Sequence, residues 1–197
     1  MKKIFASLAL IGLVYTANSQ KIKLGVKAGA NFANWNIKAL GEKEPTKMIA
    51  GLQAGVVADF SVGKTLSLQP QLLFSSKGFG EEHNGHTDKI VVTALDLPIN
   101  LLYKTPIGIG KFFVGGGPNI GLNLSAKDKA HNETIKIGNS ADAIKALDLG
   151  VNVTTGVELK NKLFFGVNYN YGLSNLSNVN NLTQRSNVLG VSIGYFF

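Results

Sequence analysis

Leu147-Asp148-Leu149-Gly150-Val151-Asn152-Val153-Thr154-Thr155-Gly156-Val157-Glu158-Leu159 decides the fold. Leu147, Leu149, Val151, Val153, Val157 and Leu159 fall on one side of an extended chain. Asp148, Gly150, Asn152, Thr154, Gly156 and Glu158 fall on the other. Successive side chains of a strand point to opposite faces, so this stretch makes a strand with one apolar and one polar face. A helix would scatter both sets around its circumference.

The same alternation recurs on either side. It predicts strands over 22–33, 50–60, 65–76, 90–103, 111–124, 146–159, 163–174 and 187–197. The connections sort themselves. Those at 36–49, 77–89, 125–145 and 175–186 are long; those at 61–64, 104–110 and 160–162 are short. Strict alternation of long and short loops is the mark of an up-and-down barrel spanning a membrane, with both chain ends on the short-turn side. The polar face is rich in Gly, Asn, Gln and Ser, residues small enough to fill a narrow lumen with hydrogen bonds. Phe60, Phe74, Tyr103, Phe112 and Tyr169 lie near strand ends, as interfacial girdles require. A soluble barrel with an apolar interior would share the period but not these features. The fold expected is all-β: an eight-stranded antiparallel transmembrane barrel with short periplasmic turns and four long extracellular loops.

Composition agrees. The chain has 23 Gly, 16% charged residues and no Cys, and its mean hydropathy is positive at +0.13. No apolar run of helix-spanning length follows the N-terminal segment, which fits a chain whose lipid-facing residues are every second one. Residues 1–19 read as a cleaved secretory signal peptide. Lys2 and Lys3 form its basic region, the residues from Ile4 to Val14 its apolar core, and Ala17-Asn18-Ser19 its small-residue cleavage site. Residues 20–197 are then a single barrel domain, exported to the bacterial (Gram-negative) outer membrane. Absent cysteine excludes a lipobox, a disulfide framework and thiolate chemistry. The net charge is +8, carried mainly by Lys, with Arg185 the sole arginine. Bidentate base readout relies on arginine, so nucleic acid is not an expected partner. Loop lysines can instead meet phosphates of outer-membrane lipid and lipopolysaccharide.

Pro70, Pro98 and Pro118 fall inside predicted strands. A closed barrel has no edge on which to place a missing N–H, so bulges or strand ends are expected there, or strand boundaries displaced by a few residues. Gly115-Gly116-Gly117 before Pro118 predicts a sharp bend.

Three motifs carry a resemblance. Leu95-Asp96-Leu97-Pro98-Ile99-Asn100-Leu101-Leu102-Tyr103-Lys104, Phe112-Phe113-Val114-Gly115-Gly116-Gly117-Pro118 and Asp148-Leu149-Gly150-Val151-Asn152 follow in the order and spacing of the PorT-like outer-membrane β-barrel family. The chain resembles that family over nearly all of its mature length. The resemblance implies an eight-stranded outer-membrane barrel, and one namesake member serves a secretion and gliding apparatus. It transfers no catalytic residue.

Candidate functional residues are few. Tyr195 and Phe197 close the last strand with the aromatic pattern of a signal for the barrel-assembly machinery, which would be a partner during biogenesis. Lys23, Lys27, Asp59, Asp96, Asp148 and Glu158 lie on the polar face and are expected to form a lumen network, because unpaired buried charge is costly. His83 and His86 flank Asn84-Gly85 and read as an exposed turn rather than a metal site. A hydrolase set could be written from Ser75 or Ser76, His83 or His86, and Asp88, but no nucleophile motif supports it. Residues 140–145 are compatible with a short helix in the third long loop. The expectation is therefore a non-enzymatic envelope protein without catalytic residues, cofactor or metal. Its roles would be structural or interactive, with possible envelope protein partners. A secretion-complex subunit is the alternative, and a lipid-modifying enzyme comes last.

Overall fold

A computed structural model describes residues 22–83 and 86–197. The predicted signal peptide lies outside them. The strands are β1 (Ile22–Ala39), β2 (Glu42–Glu44), β3 (Ile49–Ser61), β4 (Leu66–His83), β5 (His86–Ile107) and β6 (Gly110–Asp128). They continue with β7 (Glu133–Ile137), β8 (Ala143–Ile144), β9 (Leu147–Leu159), β10 (Leu163–Gly172) and β11 (Leu182–Phe196). No helix occurs among the described residues; 140–145, read as helix-compatible, is a turn leading into β8.

The pairing closes on itself. The path β5-β4-β3-β1-β11-β10-β9-β6 is continuous, and β6 also pairs with β5. That ring is an eight-stranded antiparallel barrel, which leaves no unpaired edge. β2, β7 and β8 are short additions to its long-loop rim.

Why one face points outward is plain from β1. Leu24, Val26 and Phe32 are exposed, while Lys27 and Asn31 between them are buried. The pattern repeats around the ring, with Leu52, Val56, Leu72, Phe74, Val151, Val153, Val191 and Ile193 outside and Gln53, Gln71, Ser75, Asn152, Thr154 and Ser192 inside. An apolar belt around a polar interior is stable only where lipid replaces water outside.

Above Phe32 the sense inverts. Trp35 and Ile37 are buried inside, and Asn34, Asn36 and Lys38 take the outward positions. β4 does the same, with Phe79 buried above Lys77. The strands thus rise beyond the belt, and their upper barrel holds an apolar core of Trp35, Ile37, Phe79, Val92, Ala126, Ile144 and Leu176. The connection predicted as a loop over 77–89 is mostly an extension of the β4–β5 hairpin, paired out to His83 and His86.

The prolines correct a further expectation. None sits at a bulge or strand end; the register shift falls at Thr93/Ala94. Each proline instead interrupts one ladder and keeps the other. The β3–β4 pairing lapses between Val57↔Gln71 and Phe60↔Leu68, beside Pro70. The β4–β5 pairing lapses between Pro70↔Ile99 and Leu73↔Asp96, beside Pro98. The β5–β6 pairing lapses between Pro98↔Asn119 and Leu101↔Gly116, beside Pro118. A strand residue turns its N–H to one neighbour only, so a missing N–H costs a bond on one side. The register resumes unchanged after each gap.

Candidate functional site

The lumen is built in layers. Nearest the short-turn rim, Phe164 and Phe196 stack with ring centroids 4.7 Å apart, joined by Val57. Over Phe196 sit the ammonium groups of Lys23 and Lys104, 5.5 and 5.9 Å from its centroid. Lys104 Nζ reaches Asp59 Oδ2 at 2.6 Å and Glu158 Oε2 at 3.3 Å. Lys23 pairs with the other oxygen of Glu158. Two cations and two carboxylates therefore neutralise one another. Lys27 finds no carboxylate among the described residues. It donates to Gln71 Oε1 at 3.1 Å, Gln71 donates to Gln69 Oε1 at 2.9 Å, and Gln69 donates to Asp59 Oδ2 at 3.0 Å. Two glutamines thus tie Lys27 to the ion-pair layer.

An amide layer follows. Asn152 donates to Asn100 Oδ1 at 2.9 Å. A cavity of about 30 Å³ lies among Asn31, Gln53, Asn119, Asn152, Asn168 and Asn170. That is space for about one or two waters, not for a solute.

A second ion layer lies above. Lys77 Nζ sits 3.0 Å from Asp96 Oδ1 and 2.9 Å from Asp148 Oδ2. Ser75 donates to the other oxygen of Asp96. Gly121 makes the room, since a Cβ there would lie 2.6 Å from Asp96 Oδ1 and 3.2 Å from Lys77 Nζ. The Trp35–Phe79 core, with rings 4.9 Å apart, closes the top.

Of the sequence-selected lumen residues, Lys23, Asp59 and Glu158 come together in the lower layer, and Asp96 and Asp148 in the upper. Sequence reading missed Lys77 and Lys104, the cations that hold both layers. Both share strand parity with inward residues, Lys77 with Ser75 and Lys104 with Asn100, and extending the alternation past 76 and 103 would have found them.

Tyr195 points outward beside Val26 and Leu163, with Phe197 edge-on to it at 5.9 Å. Phe197 N donates to Leu24 O, so the chain end is bonded into the closing seam. His83 and His86 face each other across the hairpin backbone. Among the described residues no cluster of three His, Asp or Glu side chains could hold a metal. Ser75, written into a possible hydrolase set at the rim, is buried in the lumen on Asp96.

Residues 17–178 match the outer membrane protein beta-barrel domain family. The chain belongs to this family. Among solved structures it is similar to Neisserial surface protein A (NspA), at 15% identity and a TM-score of 0.53, over 88% of this chain and 97% of that one. It is also similar to the outer membrane protein OprG from Pseudomonas aeruginosa, at 12% identity and a TM-score of 0.50, over 89% and 95%. No curated protein matches the sequence. This outer-membrane barrel domain carries its ion pairs, amides and two apolar plugs inside a ring whose outward belt is mainly apolar.

Proposed function

We propose that the chain is a non-enzymatic scaffold of the bacterial outer membrane that works through its long-loop rim, held outward, while the lumen only stabilises. The observation that carries this reading is the filling of the lumen. Two ion-pair layers and an apolar plug at each end fill the barrel, and the cavity in the amide layer between them, about 30 Å³, is too small for a solute. The rim, by contrast, is a built platform. Asn178 Nδ2 donates to the carbonyls of Gly138, Ser140 and Ala143 within 3.0 Å, clamping the loop before β9 to the loop before β11. Ordered loops on a rigid closed scaffold are where recognition concentrates.

In this reading an N-terminal signal peptide exports the chain, and Tyr195 and Phe197 present the last strand to the barrel-assembly machinery. Outer-membrane lipid and lipopolysaccharide surround the belt, and envelope proteins meet the rim. The PorT-like motifs favour a second reading, a subunit of an outer-membrane secretion complex. Extraction from native outer membranes in mild detergent, with quantitative mass spectrometry of what co-purifies, separates the two. Under the rim reading, associations vanish when 129–142 is replaced by a tight turn and persist when 62–64 and 160–162 are substituted. The opposite dependence would establish the secretion-complex reading and remove the first.

A further inference from the structure

On the long-loop rim, β1 and β2 form a hairpin with a two-residue turn. Ala39 pairs with Glu42, and Leu40-Gly41 turns the chain between them. Both turn residues have positive φ, 52° at Leu40 and 91° at Gly41. Such a turn favours Asn, Asp or Gly at its first position, since a Cβ there crowds the following carbonyl. The other described non-glycine residues with positive φ are Asn132, Lys162 and Asn181, all polar and exposed. Asn181 lies against the same turn, where Leu40 N donates to Asn181 O at 2.9 Å. Leu40 is the apolar residue of the four, and it is 84% exposed. A singly exposed leucine is ordinary. One held in a strained conformation that buries nothing is not, and local conflicts of this kind gather where a chain meets a partner.

The charges around the tip carry a second conflict. Lys38 stands directly opposite Lys43 across the hairpin, a like-charge pairing that weakens it. Glu42 and Glu44, on either side of Lys43 in sequence, alternate to the other face of the ribbon. All four side chains are exposed, and none forms an ion pair among the described residues. The tip therefore presents an uncovered leucine, two unpaired cations on one face and two unpaired carboxylates on the other.

Lipid does not reach it. Phe32 is the last apolar outward residue of β1. Leu40 follows eight residues later, about 26 Å along an extended strand and, at a barrel tilt of about 40°, about 20 Å above the belt. The headgroup layer is only about 5–8 Å deep. What covers an apolar tip at that height is protein. A partner of one sign would satisfy one face of the hairpin and oppose the other. A surface with the same pattern, turned over, satisfies both. We infer that the β1–β2 hairpin is a contact between two copies of this chain. Leu40 meets Leu40 near a twofold axis, and the lysine face of each hairpin lies beside the glutamate face of the other. This names a partner for the long-loop rim and rests on the rim reading above.

The test uses the full-length mature protein in density-matched detergent micelles. Sedimentation equilibrium should show a reversible dimer. Leu40→Asn should weaken that dimer by about tenfold or more, yet raise the urea midpoint, because Asn accepts the turn conformation. The chain has no cysteine, so Leu40→Cys supplies a single thiol, and mild oxidation should link two copies through it. Val62→Cys, at an exposed position on the opposite rim, should link far more slowly. Lys38→Glu with Lys43→Glu, and Glu42→Lys with Glu44→Lys, should each be monomeric alone and dimeric when mixed.

A wild-type protein that stays monomeric, equal linking at the two thiols, or a mixture that does not pair would overturn the contact. So would a lower urea midpoint for Leu40→Asn, which would give the leucine a packing role in its own chain. The rim reading is decided separately, by the loss of co-purifying proteins when 129–142 is replaced. That loss beside a monomeric wild type ends this inference alone.

Discussion

At the residue scale, the lysines that satisfy the lumen carboxylates decide its stability. Asp148 and Lys77 are almost fully buried, and Lys77 is shared between Asp148 and Asp96. Removing one member of a buried pair leaves an uncompensated charge and costs about 3–5 kcal/mol. Lys77→Met should therefore destabilise the barrel by that order in urea titrations followed by Trp35 fluorescence. Adding Asp96→Asn and Asp148→Asn should recover most of the loss, because neutral amides need no cation. Lack of recovery would mean that the cost lies in packing. These two lysines also mark where residue-level reading stopped. The carboxylates lie inside predicted strands, whereas Lys77 and Lys104 fall just beyond them, in the segments 77–89 and 104–110 that the alternation assigns to connections.

A surface pair offers a pH readout. Asp128 accepts from the backbone of Ala130 at 2.8 Å and lies 2.8 Å from His131 Nδ1. The hydrogen bond to Asp128, then its charge, raises the His131 pKa above its ordinary 6.5. A raised folded-state value means that the pair supports the turn fully below pH 6.5 and is lost as pH rises through the raised value. An NMR titration of His131 should show this elevation, and Asp128→Asn should remove most of it, leaving the smaller pull of the Asp88 and Glu133 charges.

At the element scale, the lesson is polarity inversion. Period-2 alternation persists from Leu24 to Ile37, but beyond Phe32 the apolar residues change sides. Outside the lipid the outward face meets water, and the inward face must then supply its own core. A reading that equates apolar with outward ends the strand where the membrane ends. That is why the predicted strands fall short of β1, β4 and β5, while 146–159 covers the whole of β9. Trp35→Ala should cost about 3–5 kcal/mol by emptying the upper core. The measurement is again urea unfolding, followed by circular dichroism because the variant loses the tryptophan.

The prolines were visible in sequence, but their consequence was not, because it depends on which neighbour the missing N–H faces. Pro98→Val restores a donor toward β4. The amide introduced at position 98 should be strongly protected in hydrogen exchange; fast exchange would show that the gap has another cause.

At the scale of the whole molecule, closure and loop sorting were legible because they follow from counting strands and connections. The interior seal was not, because it comes from side chains on different strands: Lys104 on β5 with Asp59 on β3 and Glu158 on β9, and Lys77 on β4 with Asp148 on β9. Those cross-barrel pairs fill much of the lumen with side chains, which is the basis of the proposal that the rim is the working part. Single-channel recording of the purified full-length protein in planar bilayers tests this most directly. The predicted result is a silent membrane, with no discrete conductance steps at any holding potential that the bilayer survives. Reproducible unit openings from the wild-type protein would contradict it and make the lumen, not the rim, the working part.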